Sequence, residues 1–118
     1  MRITLPFPVP LHACFIKRRG GGGIPTKRYQ AYATEAGWMI RAQSPKPISG
    51  PVRIRIELVA PDRRERDADN LGKCVFDTLT RNRLIDGDSN RTIKSHTFAW
   101  VEAGPPCRVT IEPHKEDA

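Results

Sequence analysis

The sequence predicts an α+β fold, a two-layer domain in which a small mixed β-sheet has two helices packed on it. Two observations indicate this class. Apolar and charged residues alternate from Val52 to Leu58, which is typical of a strand with one buried face. Two longer segments instead repeat apolar residues at helical spacing. The predicted order is β-α-β-α-β-β, in a single domain spanning residues 1–118.

The first elements are a strand and a basic loop. The strand runs from Arg2 to Leu5 and is stopped by a series of prolines. Further along, a cluster of three basic residues precedes four glycines, Gly20 to Gly23, which predicts a mobile basic loop. A disordered linker is the alternative. The basic residues are Lys17, Arg18 and Arg19.

The first helix is predicted from about Lys27 to Gln43, with Thr26 as its N-cap. Its apolar residues recur at intervals of three and four, so they are expected to face the core, with Trp38 on the margin of that face. The expected core residues of this helix are Tyr32, Ala36, Met39 and Ile40.

The second half continues with the alternating strand, a second helix and two further strands. The second helix is predicted from about Asp69 to Arg81, and the loop 82–88 follows it. The strands Thr92 to Val101 and Arg108 to Glu112 are expected to form an antiparallel pair, and the tail from Pro113 is expected to be frayed. The apolar stripe of the helix comprises Leu71, Cys74, Val75, Thr78 and Leu79.

The net charge of +7 points to a polyanionic partner, either nucleic acid or an acidic membrane surface, with simple solubility as the plainer alternative. The charge is unevenly spread, because residues 1–56 contain ten Lys and Arg against a single acid, Glu35. The three scattered cysteines argue against a disulfide framework and fit a reducing cytoplasm. The scattered histidines argue against zinc, and neither a signal peptide nor a membrane-spanning segment is expected.

Acidic residues are concentrated where the chain as a whole is basic. Seven of the thirteen acids lie between Asp62 and Asp88, and carboxylates this crowded repel one another unless a cation lies between them. If Asp67, Asp69 and Asp88 converge, they suit Mg²⁺, which prefers oxygen ligands. The plainer interpretation makes one of the first two aspartates the N-cap of the second helix.

Lys73 lies four residues from both Asp69 and Asp77, on one face of the predicted helix. Two surface salt bridges would explain this spacing, each contributing a few tenths of a kcal/mol. The alternative places the Lys73 ammonium beside metal-binding carboxylates, where it could contact a scissile phosphate.

These residues resemble the signature of a known family. The run Arg66-Asp-Ala-Asp-Asn-Leu-Gly-Lys73, the segment Phe76-Asp-Thr-Leu79 and the pair Asp88-Ser89 are together similar to the RusA-type Holliday junction resolvases. The resemblance implies a Mg²⁺-dependent endodeoxyribonuclease, with Mn²⁺ as a possible substitute. It would act as a homodimer, often of prophage origin, that resolves four-way DNA junctions by paired nicks during recombination and repair.

The resemblance also implies roles for individual residues. The family's metal-binding aspartates match Asp67, Asp69 and Asp88, and its catalytic lysine matches Lys73. The expected DNA-binding residues are Arg66 and Asn70 from the motif, together with Lys17, Arg18 and Arg19 from the basic loop.

Two departures from the family pattern leave alternatives open. The family has adjacent aspartates where this chain has Gly87 before Asp88, so either Asp86 serves as an outer ligand or the site is weaker. Leu11 and His12 stand where the family usually has an asparagine, which leaves the N-terminal DNA contacts open. A catalytically weakened protein that binds branched DNA is therefore one alternative. The basic first half also allows a toxin-like or regulatory RNA-binding domain, although this alternative leaves the acidic cluster unexplained.

Overall fold

The structure is a computed structural model that describes residues 1–115. Its main sheet has four strands in the order β1-β6-β4-β5, and a separate two-stranded sheet pairs β2 with β3. The strands are β1 (Arg2–Leu5), β2 (Phe15–Lys17), β3 (Gly23–Pro25), β4 (Val52–Leu58), β5 (Ile93–Trp100) and β6 (Cys107–Pro113). The helices are α1 (Lys27–Gln43) and α2 (Asp69–Arg81), with a short 3₁₀ helix at Leu11–Ala13.

The central strand β4 shows why the domain has two layers. Val52, Ile54, Ile56 and Leu58 are all buried, whereas Arg53 and Arg55 between them are exposed. The buried side chains of β4 belong to the same core as the apolar stripes of α1 and α2. Because only one face of the strand is buried, both helices pack on that face. The prediction of a mixed sheet with two helices packed on it is confirmed.

Helix α1 begins and ends where the sequence predicts. The Thr26 hydroxyl accepts a hydrogen bond from the Tyr29 amide at 3.1 Å, which satisfies one free amide of the first turn. Ser44, at φ 48°, ends the helix in the left-handed region. The predicted core face is partly wrong: Met39 is only half-buried and Trp38 is 69% exposed. Tyr29 and Gly37, which the sequence pattern did not single out, are buried instead.

The predicted pairing of the last two strands is wrong. Strand β5 pairs with β4 in parallel, from Val52 opposite Ile93 to Leu58 opposite Trp100. Strand β6 lies between β1 and β4 and is antiparallel to both. The physical reason is that α2 provides the long crossover that parallel neighbours require, so β5 returns beside β4. Residues 101–106 then take the chain across to the other side of β4.

The glycine-rich segment lies in a hairpin, not in an unstructured linker. Strands β2 and β3 pair antiparallel, and Lys17 lies opposite Gly23. Gly20, Gly21 and Gly22 all have positive φ, so the tip uses the backbone freedom of glycine. We call residues 15–25 the hairpin arm. The sequence did not predict its two strands, because each has only three residues.

The sequence predicts a frayed tail from Pro113, but Pro113 and His114 still take part in the fold. Pro113 ends β6, and the His114 amide donates to the Pro51 carbonyl at 2.8 Å. The rest of that prediction, residues 116–118, lies outside the described part of the chain. Within residues 1–115, neither helix combines the length and hydrophobicity needed to cross a bilayer.

The three cysteines are free and buried, which agrees with the prediction that there is no disulfide framework. Burial raises the pKa of Cys74 to about 11 and that of Cys107 to about 12. Thiols with such pKa values remain protonated near neutral pH and react slowly.

Candidate active site

The start of α2 presents two carboxylates that have no partner within the described structure, one just before the helix and one in its first turn. Asp67 and Asp69 are both exposed, and no ion pair or hydrogen bond among residues 1–115 uses their side chains. Ala68 is the N-cap residue, and no side chain caps the helix. The interpretation of either aspartate as a simple N-cap is therefore wrong. Both carboxylates are available to an external cation.

Lys73, one turn into the helix, is shared between two acids. Its Nζ lies 3.1 Å from Asp77 Oδ1 and 3.5 Å from Asp88 Oδ2. Asp77, and to a smaller extent Asp88, raises the pKa of the Lys73 ammonium. The expectation of two salt bridges at this lysine is thus half right, because Asp88 takes the place that Asp69 was expected to hold. The loop after α2 does return to the helix.

Asp77 is the more enclosed of these two acids. Its side chain is 19% exposed, compared with 43% for Asp88. Behind it, the Tyr29 hydroxyl donates a hydrogen bond to Asp77 Oδ2 at 3.4 Å, and the Arg81 guanidinium lies over the Tyr29 ring. The sequence places Asp77 on the same helical face as Lys73, but Tyr29 is 48 residues away and no sequence signal links it to Asp77.

Asp86 and Asp88 contact different parts of the structure. Asp86 Oδ2 accepts hydrogen bonds from the Gly50 amide at 2.8 Å and from the Ser49 hydroxyl at 3.2 Å. This carboxylate ties the loop after α2 to the turn before β4. The structure therefore gives Asp86 a structural role and leaves the contact with α2 to Asp88.

The structure brings Asp88 to α2 without closing a metal site. Among residues 1–115, no three His, Cys, Asp or Glu side chains form a group that could hold a metal ion. Lys73 lies about 6 Å beyond Asp69 along the helix axis, and its ammonium contacts Asp88. The donor chemistry nevertheless fits a hard cation, because among residues 1–115 Asp67 and Asp69 have no side-chain partner and Asp88 has only the longer ion pair.

A groove of about 490 Å³ lies beside Asp67 and Asn70. Arg66 is fixed there, because its guanidinium donates to Asp62 at 2.8 Å and lies over the Phe7 ring. The Arg66 guanidinium in turn holds the pKa of the Asp62 carboxyl far below its usual range. The groove is also lined by basic side chains that lie outside the sequence motif. These are His12, Arg28 and Arg64.

The hairpin arm presents its basic residues to solvent. Lys17, Arg18 and Arg19 are all exposed, and no ion pair within the described residues involves them. The backbone of the tip is closed by the Arg18 amide, which donates to the Gly22 carbonyl at 3.1 Å. This arrangement can supply positive charge to a polyanion without first breaking an internal contact.

Comparison with known proteins places this chain in a family. A family model described as "Endodeoxyribonuclease RusA" matches residues 6–112, which covers both the acidic motif and the Asp88 loop. The chain belongs to the RusA endodeoxyribonuclease family.

Individual RusA relatives agree with this assignment. The crossover junction endodeoxyribonuclease RusA of Escherichia coli K12 is 40% identical over 80 residues, which cover 67% of this chain and 66% of the relative. The proteins of the same name from Aquifex aeolicus and Enterobacteria phage 82 are 31% identical over 98 residues and 40% identical over 80 residues. The Aquifex match covers 82% of this chain and 77% of the relative. The chain thus spans just under two thirds of the length of the Escherichia coli relative that it matches.

Proposed function

We propose that this protein is a metal-dependent endodeoxyribonuclease that resolves four-way DNA junctions by paired symmetric nicks. The observation that carries the proposal is the contact between Asp88 and Lys73, because it joins the loop after α2 to the helix whose start carries Asp67 and Asp69. The names of the RusA relatives support the junction as substrate. The similarity to a phage protein supports a prophage origin.

Each residue at the site has a proposed role. Asp67, Asp69 and Asp88 would hold Mg²⁺, or Mn²⁺ in its place. When bound, such an ion activates water and neutralises charge on the phosphodiester. Lys73 would contact the scissile phosphate, because it is the cation that contacts Asp88 and its side chain is half exposed. Arg66 and Asn70 would line the path of the DNA strand, and Lys17, Arg18 and Arg19 would bind the neighbouring backbone.

A homodimer follows from the symmetry of the proposed substrate. Two symmetric cuts in a four-way junction require two equivalent sites, and each chain supplies one acidic cluster in its single domain. A two-fold dimer presents two such clusters to a two-fold substrate. The proposed setting is the cytoplasm, where recombination and repair take place in bacteria.

The central test is cleavage of a labelled synthetic four-way junction in Mg²⁺. We expect paired nicks from the wild-type protein and none without a divalent cation. Asp69→Asn should lower cleavage by about 10²–10³-fold, the range for losing one electrostatic group from an active site. It should leave junction binding intact, because the basic surface is unchanged. If Asp69→Asn cleaves the junction at the wild-type rate, Asp69 is not part of the active site.

Glu112→Gln is the matched control for this test. Glu112 pairs with Arg53 at the exposed face of the sheet, opposite the helices. The substitution removes one negative charge from the protein, as Asp69→Asn does, but at a distance from the proposed site. Equal loss of cleavage in both variants would indicate a general effect of charge.

The second candidate is a branched-DNA-binding protein with weakened catalysis. Two observations favour it: Gly87 stands before Asp88, and the described residues contain no closed three-ligand group. This candidate predicts tight, salt-sensitive junction binding without cleavage in either Mg²⁺ or Mn²⁺. The same labelled junction, analysed for both binding and nicking, separates the two functions.

A further inference from the structure

Lys73 presents a problem for the proposed metal site. Its ammonium lies 3.5 Å from Asp88, which is the carboxylate that the loop contributes to the metal. An ammonium at a ligand carboxylate competes with an incoming cation, because both are attracted to the same oxygen atoms. A cation binds Asp88 at a lower energetic cost if another anion holds the Lys73 ammonium.

Asp77 is that other anion. It lies nearer to Lys73 than Asp88 does, at 3.1 Å compared with 3.5 Å, and it is less than half as exposed. Weaker screening by solvent strengthens an ion pair, so the inner pair is the stronger of the two. The Tyr29 hydroxyl also donates a long hydrogen bond, at 3.4 Å, to the other oxygen of the Asp77 carboxylate.

We infer that Asp77 is a positioning residue that holds Lys73 beside the phosphate path and thereby releases Asp88 to the metal ion. This inference rests on the proposed function and adds a residue to it. Before metal binds, Lys73 bridges the two acids. When metal takes Asp88, Lys73 remains with Asp77. Its ammonium then faces the substrate instead of competing for the ligand set.

The test measures metal affinity directly, by calorimetric titration of Mg²⁺ and, separately, Mn²⁺ into the DNA-free protein. Asp77→Asn keeps the shape of the side chain but removes its charge, so Lys73 should shift fully to Asp88. We expect metal affinity to fall by roughly two- to 150-fold, the range of coupling between neighbouring residues. Lys73→Met removes the competing ammonium and should raise metal affinity.

The double variant that combines Asp77→Asn with Lys73→Met distinguishes two causes of the fall in metal affinity. If Asp77 acts through Lys73, then Asp77→Asn should have no effect on metal affinity in the Lys73→Met background. If Asp77 only adds negative charge near the metal, the fall should be equal in both backgrounds. That second result would overturn the inference.

Two controls show whether Asp77→Asn lowers metal affinity only by disturbing the fold. Asp77→Glu retains the charge and should keep metal affinity near that of the wild type, whereas a defect of packing would persist with the longer side chain. Melting temperatures show whether each variant folds, and Asp77→Ser replaces Asp77→Asn if the amide variant does not. Loss of affinity in Asp77→Glu equal to that in Asp77→Asn would contradict the inference.

Junction cleavage supplies a further readout. With saturating metal, Asp77→Asn should lower the rate of cleavage by bound protein while leaving the Kd for the junction unchanged. Wild-type protein that binds neither Mg²⁺ nor Mn²⁺ would overturn the proposed function together with this inference. Metal binding by the wild type, combined with unchanged affinity in Asp77→Asn, would overturn the inference alone.

Discussion

The α2 edge and the hairpin arm carry charge in opposite ways. The α2 edge, residues 67–88, places its ionic groups on or beside a helix whose apolar stripe is buried, and Lys73 contacts two acids there. The hairpin arm is built from two strands of three residues whose side chains are exposed. Its basic residues make no ion pair within the described chain. Groups that must be fixed in place lie on a packed element, and groups that only attract a polyanion lie on an exposed one.

The largest expected difference between these two regions is in how much the loss of an apolar side chain lowers the free energy of unfolding. Leu79 is fully buried on α2, so Leu79→Ala should lower the free energy of unfolding by about 2–5 kcal/mol. Ile16 on the arm is 60% exposed, so Ile16→Ala should change it by no more than about 0.5 kcal/mol. Urea unfolding of both variants measures the two values. Equal destabilisation would show that the arm is packed in solution in a way that the structure does not indicate.

The two regions should also differ in how they affect cleavage. Lys73→Ala should lower the single-turnover rate of junction cleavage by about 10²-fold, because the cation beside the scissile phosphate is lost. The Kd for the junction should change much less. Binding and cleavage are measured on the same labelled junction. Equal losses in both would mean that Lys73 only contacts DNA and does not serve the chemical step.

Substitutions in the hairpin arm should instead affect junction binding and leave the rate of cleavage nearly unchanged. Replacing Lys17, Arg18 and Arg19 together with Ala should weaken junction binding and make it less sensitive to salt. The slope of log K against log salt should become less steep by about 0.9 for each phosphate contact that is lost. At saturating protein the cleavage rate should remain close to that of the wild type. A steep fall in that rate would place the arm within the catalytic machinery.

The contrast between the regions also explains what sequence can predict here. Helix α2 and strand β4 were predictable because their periodicity is strong and local, and Asp67, Asp69 and Lys73 lie in one continuous motif. The parallel position of β5 was not, because strand partners are chosen by the whole fold. The contact between Tyr29 and Asp77 joins residues 48 apart, so it too depends on the packing of α1 against α2.

The smallest expected effect distinguishes the two aspartates of the loop after α2. Asp86→Ala removes the acceptor of the Gly50 amide and the Ser49 hydroxyl, so it should lower the free energy of unfolding by about 1 kcal/mol. Cleavage at a temperature where the variant is folded should stay at the wild-type rate. Asp88→Asn, two residues away, should lower cleavage strongly with little loss of stability, because its only described partner is an exposed lysine. If Asp86→Ala lowers cleavage as much as Asp88→Asn does, Asp86 serves the metal after all, and the loop contributes two ligands.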